Sequence, residues 1–180
     1  MITSWKHVAL GLTLALGICI LGLEIGQASH HRGEGIEGWE KGSVYNKLFD
    51  PADMEKLKGL VMDFRGVIPL PGMSPGIAML VRDMQGEVVR VHLGPRSFIH
   101  LNSIEIRRGD EVAIKGVRAE IDGKYVFMTS QVKVENSYVI KLRSTKDGTP
   151  YWTMSHEELA RERALNSLEH LLKSSGPTRN

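Results

Sequence analysis

Two histidines in the middle of this 180-residue chain are the side chains best suited to metal chemistry. His92 and His100 lie close together in the sequence, and each imidazole can ligate a divalent cation, with Glu105 as a third candidate donor. A metal site needs at least three converging donors, and the sequence shows only their proximity. The alternative interpretation is that His92 makes a local hydrogen bond on the polar face of its strand.

A second metal site depends on proteolytic processing. Cleavage after Ala28 would make Ser29-His30-His31 the new amino terminus. Its free amine, two deprotonated amides and the His31 imidazole would form a square-planar donor set suited to Cu(II) or Ni(II). The alternative is that His30 and His31 belong to a flexible exported terminus with no metal. We therefore expect no resident cofactor, with terminal Cu or Ni binding as the open alternative.

Catalytic motifs are absent from the sequence: it contains no serine-nucleophile elbow, zinc-protease helix, phosphate loop or haem-attachment motif. The single cysteine, Cys19, lies in an apolar leader, so the mature chain would have no thiol for disulfides, thiolate ligands or nucleophiles. Gly33, Gly35 and Gly38 form a literal G-x-G-x-x-G. No strand pattern precedes them and no helix pattern follows, as dinucleotide binding requires. We predict no catalytic residues and no enzyme.

The amino terminus predicts export. Residues 1–7 carry two basic side chains, residues 8–23 carry no charge, and Gly26-Gln27-Ala28 fits a small-x-small cleavage site. Residues 1–28 are therefore interpreted as a signal peptide. The apolar run is short of the ~20 residues of a membrane span, so we favour cleavage over retention as an anchor formed by residues 8–23. Either outcome places the rest of the chain outside the cytoplasm, in the periplasm of a bacterium.

Charge and composition argue against a nucleic-acid partner. The chain is 42% hydrophobic and 24% charged with a formal net charge of +2, which is typical of an ordinary globular protein. Strand binding also needs aromatic stacking platforms, and Phe98 is the only aromatic residue between positions 70 and 124. We interpret the basic residues of this region as a solvated or anion-facing rim: Arg82, Arg90, Arg96, Arg107, Arg108, Lys115 and Arg118.

The hydropathy pattern is that of a β domain. Alternating apolar positions predict strands at residues 57–68, 77–82, 87–93, 111–120 and 125–134, with a short sixth at 139–143. The turn sequences Asp83-Met84-Gln85-Gly86 and Asp122-Gly123 predict two hairpins. Closure into a barrel would remove exposed sheet edges. We predict a mainly β fold, a small five- to six-stranded OB-like antiparallel barrel, with a small sandwich as the alternative.

An amphipathic helix is predicted after the barrel. Ser155-His156-Glu157-Glu158 is a capping-box sequence, and Leu165, Leu168 and Leu172 recur at helical spacing, which indicates a helix over residues 155–174. This helix can pack against the barrel or dock onto a partner. The predicted organisation is a signal peptide (1–28), a flexible linker (29–43), an OB-like barrel (44–152), and a carboxy-terminal helix and tail (153–180).

Several short motifs resemble a family of small exported bacterial proteins. They are Pro71-Gly72-Met73-Ser74-x-Gly76, Val91-His92-Leu93-Gly94-Pro95, Gly109-Asp110, Asp122-Gly123-Lys124 and Leu142-Arg143-x-x-x-Asp147-Gly148-x-Pro150-x-Trp152. In this order they are similar to the periplasmic bacterial OB-fold (BOF-like) group, over about residues 44–152. The resemblance implies an OB-like fold and a non-catalytic role in binding a ligand or partner.

From these features we expect an exported, non-catalytic accessory protein that acts by binding. The alternative is an accessory or metal-handling subunit of a periplasmic redox or respiratory complex that docks through its carboxy-terminal helix. The expected partner is a protein in the periplasm or at the membrane, with membrane contact only through an uncleaved amino-terminal segment. The candidate contact face consists of Pro71, Gly72, Met73, Ser74, His92, Gly94, Pro95, Arg96 and His100.

Overall fold

The computed structural model describes residues 35–100, 104–134, 138–144 and 146–174, with side chains described as far as residue 168. The predicted signal peptide lies outside these residues. Among the described residues, no helix combines the length and apolar character that a membrane crossing requires.

Six strands form one sheet whose hydrogen-bonding closes on itself. In spatial order the strands run β3-β2-β1-β4-β5-β6, and β3 also pairs with β5. Neighbouring strands are antiparallel, whereas the closing β3–β5 pairing is parallel and joins Val91 to Phe127 and His92 to Met128. The predicted mainly β fold, an antiparallel barrel of five to six strands followed by a carboxy-terminal helix, is confirmed with six strands. The strands are β1 (Glu55–Val67), β2 (Gly76–Asp83), β3 (Val88–Pro95), β4 (Glu111–Ile121), β5 (Lys124–Val134) and β6 (Tyr138–Lys141).

Both predicted hairpins are present, and local chemistry explains each turn. Oδ1 of Asp83 accepts hydrogen bonds from the backbone N–H groups of Gln85 at 2.9 Å and Glu87 at 2.8 Å. Asp122 and Gly123 both have positive φ angles, 50° and 71°, as the tight turn of a two-residue hairpin requires.

The long first strand connects the two halves of the barrel. β1 pairs with β4 over residues 55–60 and with β2 over residues 59–67. Its register shifts between Val61 and Asp63, so the irregularity of the strand lies between Gly59 and Gly66. Gly59 allows β1 and β2 to approach each other closely, because a Cβ there would lie 2.2 Å from the carbonyl oxygen of Arg82.

Packing of the domain begins before residue 44, the predicted start of the barrel, and so within the predicted flexible linker. Trp39 is fully buried and Tyr45 is 1% exposed, and both belong to the hydrophobic core. Asp50 then caps a short 3-10 turn, Pro51–Asp53, by accepting the N–H of Ala52 at 2.8 Å. The amino-terminal segment from residue 39 to residue 49 therefore forms part of the folded body.

The carboxy-terminal helix, α1 (His156–Ser174), begins with the predicted capping box. The Glu158 N–H donates to Oγ of Ser155 at 3.2 Å, and the Ser155 N–H donates to Oε2 of Glu158 at 2.7 Å. The Asn166 amide of the helix donates to the Tyr151 hydroxyl at 3.3 Å. Leu165 and Leu168 are 59% and 56% exposed, so these two leucines do not pack on the barrel.

Candidate functional site

The predicted contact face joins two loops that lie side by side. The Arg96 N–H donates to the Pro75 carbonyl at 2.9 Å, which holds the start of the segment after β3 against the end of the loop before β2. Four of the nine predicted residues are exposed, and we call them the rim: Pro71, Gly72, Arg96 and His100. The other five are buried: Met73, Ser74, His92, Gly94 and Pro95.

Two tryptophans from outside the sheet cover the buried part of this face. Nε1–H of Trp39 donates to the Ser74 carbonyl at 2.8 Å, and Nε1–H of Trp152 donates to the Trp39 carbonyl at 2.8 Å. The indoles lie directly against glycines on neighbouring strands. A Cβ on Gly76 would lie 2.2 Å from Cζ2 of Trp39, and one on Gly94 would lie 2.8 Å from Cζ3 of Trp152.

His92 lies beneath these rings and pairs with Tyr45. Nδ1 of His92 lies 3.0 Å from the Tyr45 hydroxyl, and the two rings stack with centroids 6.0 Å apart. Burial, with a smaller contribution from Arg90, lowers the pKa of His92 to about 4, and burial raises the pKa of Tyr45 above its usual value. At neutral pH a protonated phenol and an uncharged imidazole therefore share one hydrogen bond, and the imidazole tautomer sets which of them donates. Nε2 of His92 is buried without a hydrogen-bond partner among the described residues.

Arg143 is a cation in the interior of the protein. It is 2% exposed, and its Nη1 donates to Oδ1 of Asn46 at 2.5 Å. The guanidinium carbon lies 4.8 Å from the ring centroid of Trp152 and 5.0 Å from that of Phe49, within cation–π range. Burial lowers the pKa of Arg143 to about 10, which leaves it charged at neutral pH. Its Nε is buried and has no partner in the described part of the chain.

These groups form one connected unit, which we call the buried cluster. It links the amino-terminal segment, strand β3 and the residues that follow β6. The Asn46 side-chain amide adds bonds to the carbonyls of Trp39 at 2.6 Å and Glu40 at 2.7 Å. The reactive groups of the cluster are directed at one another, so the arrangement fixes the chain rather than presenting a reagent to solvent. Its members are Trp39, Tyr45, Asn46, Phe49, His92, Arg143 and Trp152.

Sequence reasoning identified only His92 as a functional candidate within this cluster. Burial of Trp39 could have been predicted, because a lone tryptophan is unexpected in a glycine-rich flexible linker. Arg143 had no comparable signal, since nothing near it in the sequence predicts burial of its charge. Its hydrogen-bond partner, Asn46, is 97 residues away.

The structure does not assemble the predicted metal site at His92 and His100. Among the described residues, no three His, Cys, Asp or Glu side chains are grouped so as to hold a metal ion, and this includes the proposed set with Glu105. His92 is buried with Nδ1 bonded to Tyr45, whereas His100 is exposed. The predicted terminal site at His30 and His31 lies outside the described residues.

The geometry defines a class: a small closed β domain with a carboxy-terminal helix, whose two ends are joined through a buried arginine and aromatic cluster. Residues 53–139, just under half of the chain, match the model of the MamS/MamX magnetosome protein family. The matched region runs from the turn before β1 into β6 and includes His92. Tyr45, Arg143 and α1 lie outside it. No curated protein matches the chain.

The family match differs in name from the resemblance noted in the sequence. The match relates residues 53–139 to a magnetosome protein family, whereas kinship with the periplasmic bacterial OB-fold group stays a prediction.

Proposed function

We propose that the chain is a member of the MamS/MamX family and an exported accessory protein of the magnetosome that acts by binding a protein partner. The match over residues 53–139 carries this proposal, because those residues form nearly the whole sheet. Kinship with the periplasmic bacterial OB-fold proteins is part of the same proposal and rests on the shared motifs around His92 and Gly94.

The chemistry of the predicted face supports binding over catalysis. His92 and Tyr45, the groups best able to move a proton, are 3% and 1% exposed and hydrogen-bond each other. The four rim residues offer a partner the exposed cation Arg96 and the exposed imidazole of His100. Pro71 and Gly72 lie in a loop that contains three prolines, which limits its conformational freedom.

Fractionation of the source cells tests the location. The mature chain is expected in the magnetosome fraction, with an intact mass that begins at Ser29. An Ala28→Arg variant should remain unprocessed, because the position before the cleavage site requires a small residue. Recovery of wild-type chain from the cytosol with Met1 still present would contradict export, and its absence from magnetosomes would contradict the association.

Crosslinking tests the binding role at the rim. A photoreactive amino acid at position 96 or 72 should capture a defined protein partner in cells, and the same group at exposed Tyr125 serves as the matched control. Equal crosslinking from Tyr125 and from the rim would contradict a partner site at the rim.

The second candidate is a subunit that docks through α1, and one observation favours it. Leu165 and Leu168 are exposed, whereas Asn166 and Glu162 of the same helix make polar contacts with Tyr151. Next to α1, a groove of about 550 Å³ is lined by side chains of the helix and of the body. They include Leu159 from the helix, and Phe98 and Val139 from the body. Purification with and without residues 155–180 separates the candidates, because docking through α1 requires loss of the partner from the truncated chain.

A further inference from the structure

One outer face of the sheet is strongly cationic and plays no part in the proposed contact face. Residues paired across an antiparallel sheet point to the same side, so the register defines the face. Leu60 pairs with Arg82 on β2, Lys58 pairs with Ala113 on β4, and Ala113 pairs with Lys133 on β5. The next row along contains Lys56 paired with Lys115. We call this the lysine face, and its cations are Lys56, Lys58, Arg82, Lys115 and Lys133.

The charge of this face is unbalanced. None of its five cations forms an ion pair with any described residue, as the observed ion pairs involve other arginines. Among the described residues that line the groove of this face, the carboxylates are Glu111 and Asp83. Glu111 pairs with Leu60 in the register, and Asp83 is turned to the hairpin, where it accepts two backbone N–H groups. Because the whole chain has a formal net charge of only +2, the lysine face concentrates positive charge on one side of the barrel.

The face also contains a groove with an apolar floor. The groove, of about 490 Å³, is lined by Lys58, Lys133 and Arg82 around the small side chain of Ala113. Strand spacing puts the Cα atoms of Lys58 and Lys133 about 10 Å apart across that alanine. An anionic group resting over Ala113 would therefore lie within reach of both ammonium groups.

Apolar side chains extend beyond the cations at one edge. Met84, in the β2–β3 hairpin, is 78% exposed, and Val88, paired with Arg82, is 56% exposed. Lysines around exposed aliphatic residues suit the boundary of a bilayer, where phosphates and acyl chains are reached together. None of the residues named for this face is aromatic, whereas binding of single-stranded nucleic acid needs aromatic side chains on which the bases stack.

We propose that the lysine face binds the anionic surface of a lipid bilayer through its phosphate headgroups. The inference goes beyond the accessory role and does not depend on it. The cations act together, since each lysine near an anionic surface adds a similar favourable contribution. The contact orients the barrel with β1 and β4 toward the lipid.

Vesicle flotation of the chain from Ser29 onward, the proposed mature form without the apolar residues 8–23, tests this proposal. Vesicles of phosphatidylcholine with phosphatidylglycerol should bind the protein at least about tenfold better than phosphatidylcholine alone, and about 0.5 M salt should remove the difference. Equal binding to both vesicle types would overturn the proposal.

A matched pair of triple variants identifies the surface. Lys58→Gln/Lys115→Gln/Lys133→Gln should lose the preference for phosphatidylglycerol by at least about tenfold. Lys47→Gln/Lys124→Gln/Lys146→Gln removes the same charge from other exposed positions and should retain it. Equal Tm values establish that both variants fold. Equal vesicle binding by the two variants would refute the assignment, as would displacement by single-stranded DNA at an equal phosphate concentration, which would identify nucleic acid instead.

Discussion

The hydroxyl of Tyr45 lies 3.0 Å from Nδ1 of His92, and both side chains are almost completely buried. Tyr45 belongs to the amino-terminal segment and His92 to the strand that closes the barrel. Their hydrogen bond therefore attaches a segment outside the family match to the centre of the matched sheet.

Acid should destabilise the protein through His92. Its pKa is lowered from 6.5 to about 4 in the folded state, so below pH 6.5 the unfolded chain binds the proton first. The contribution of His92 to the free energy of unfolding is fully present above about pH 6.5. It is lost as the pH drops toward 4, which lowers the free energy of unfolding by about 3 kcal/mol in all. Urea unfolding at about pH 7 and pH 4.5 measures the loss. The His92→Gln variant, whose amide can still accept from Tyr45, should show a clearly smaller loss, and an unchanged pH dependence would contradict the assignment to His92.

Arg143 and Asn46 should be energetically coupled. Replacing Arg143 by Met leaves Oδ1 of Asn46 buried without its donor and removes the cation from two aromatic rings, at a cost of about 2–4 kcal/mol. In a double-mutant cycle with Asn46→Ala, the double variant should be less destabilised than the sum of the single variants, by about 1 kcal/mol or more. Denaturant unfolding measures all four corners. Strict additivity would show that the pair does not act as a unit.

A methyl group at Gly76 should disrupt the packing of Trp39. The added Cβ would fall 2.2 Å from the indole, which has no room to move because it is fully buried. Gly76→Ala should cost at least about 2 kcal/mol and shift the tryptophan fluorescence toward that of solvent-exposed indole. Gly66→Ala is the control, since a Cβ there meets nothing within 4 Å. Similar destabilisation by both substitutions would indicate a general strand effect.

Removal of the carboxy-terminal helix should leave the barrel folded. The described hydrogen bonds from α1 to the body are made to Tyr151 and Lys141, and Leu165 and Leu168 of the helix are exposed. A chain ending at residue 154 should unfold cooperatively, with a free energy of unfolding within about 1 kcal/mol of the full chain. Thermal and urea denaturation test this. Collapse of the truncated chain would show that α1 supports the core.

Elements governed by local chemistry were predictable from the sequence. The turn at Asp122-Gly123 needs two positive φ angles, and the capping box at Ser155 needs a hydroxyl and a carboxylate three residues apart. Such requirements involve neighbouring residues, so the sequence reveals them directly.

The buried cluster could not be predicted in the same way. Trp39 stands in a polar, glycine-rich stretch that lacks any periodicity, and its burial depends on the space above Gly76. Burial of Arg143 depends on Asn46, Phe49 and Trp152, which the fold brings together from both ends of the domain. Long-range contacts of this kind leave no mark on the local pattern.

In the described part of the chain, two residue pairs close the barrel between β3 and β5: Val91 with Phe127 and His92 with Met128. Because so few residues pair here, amide hydrogen exchange should be faster at the β3–β5 pairing than at the other strand interfaces. His92 belongs to one of these two pairs, and burial lowers the pKa of its imidazole, so acid should open the barrel first at this pairing.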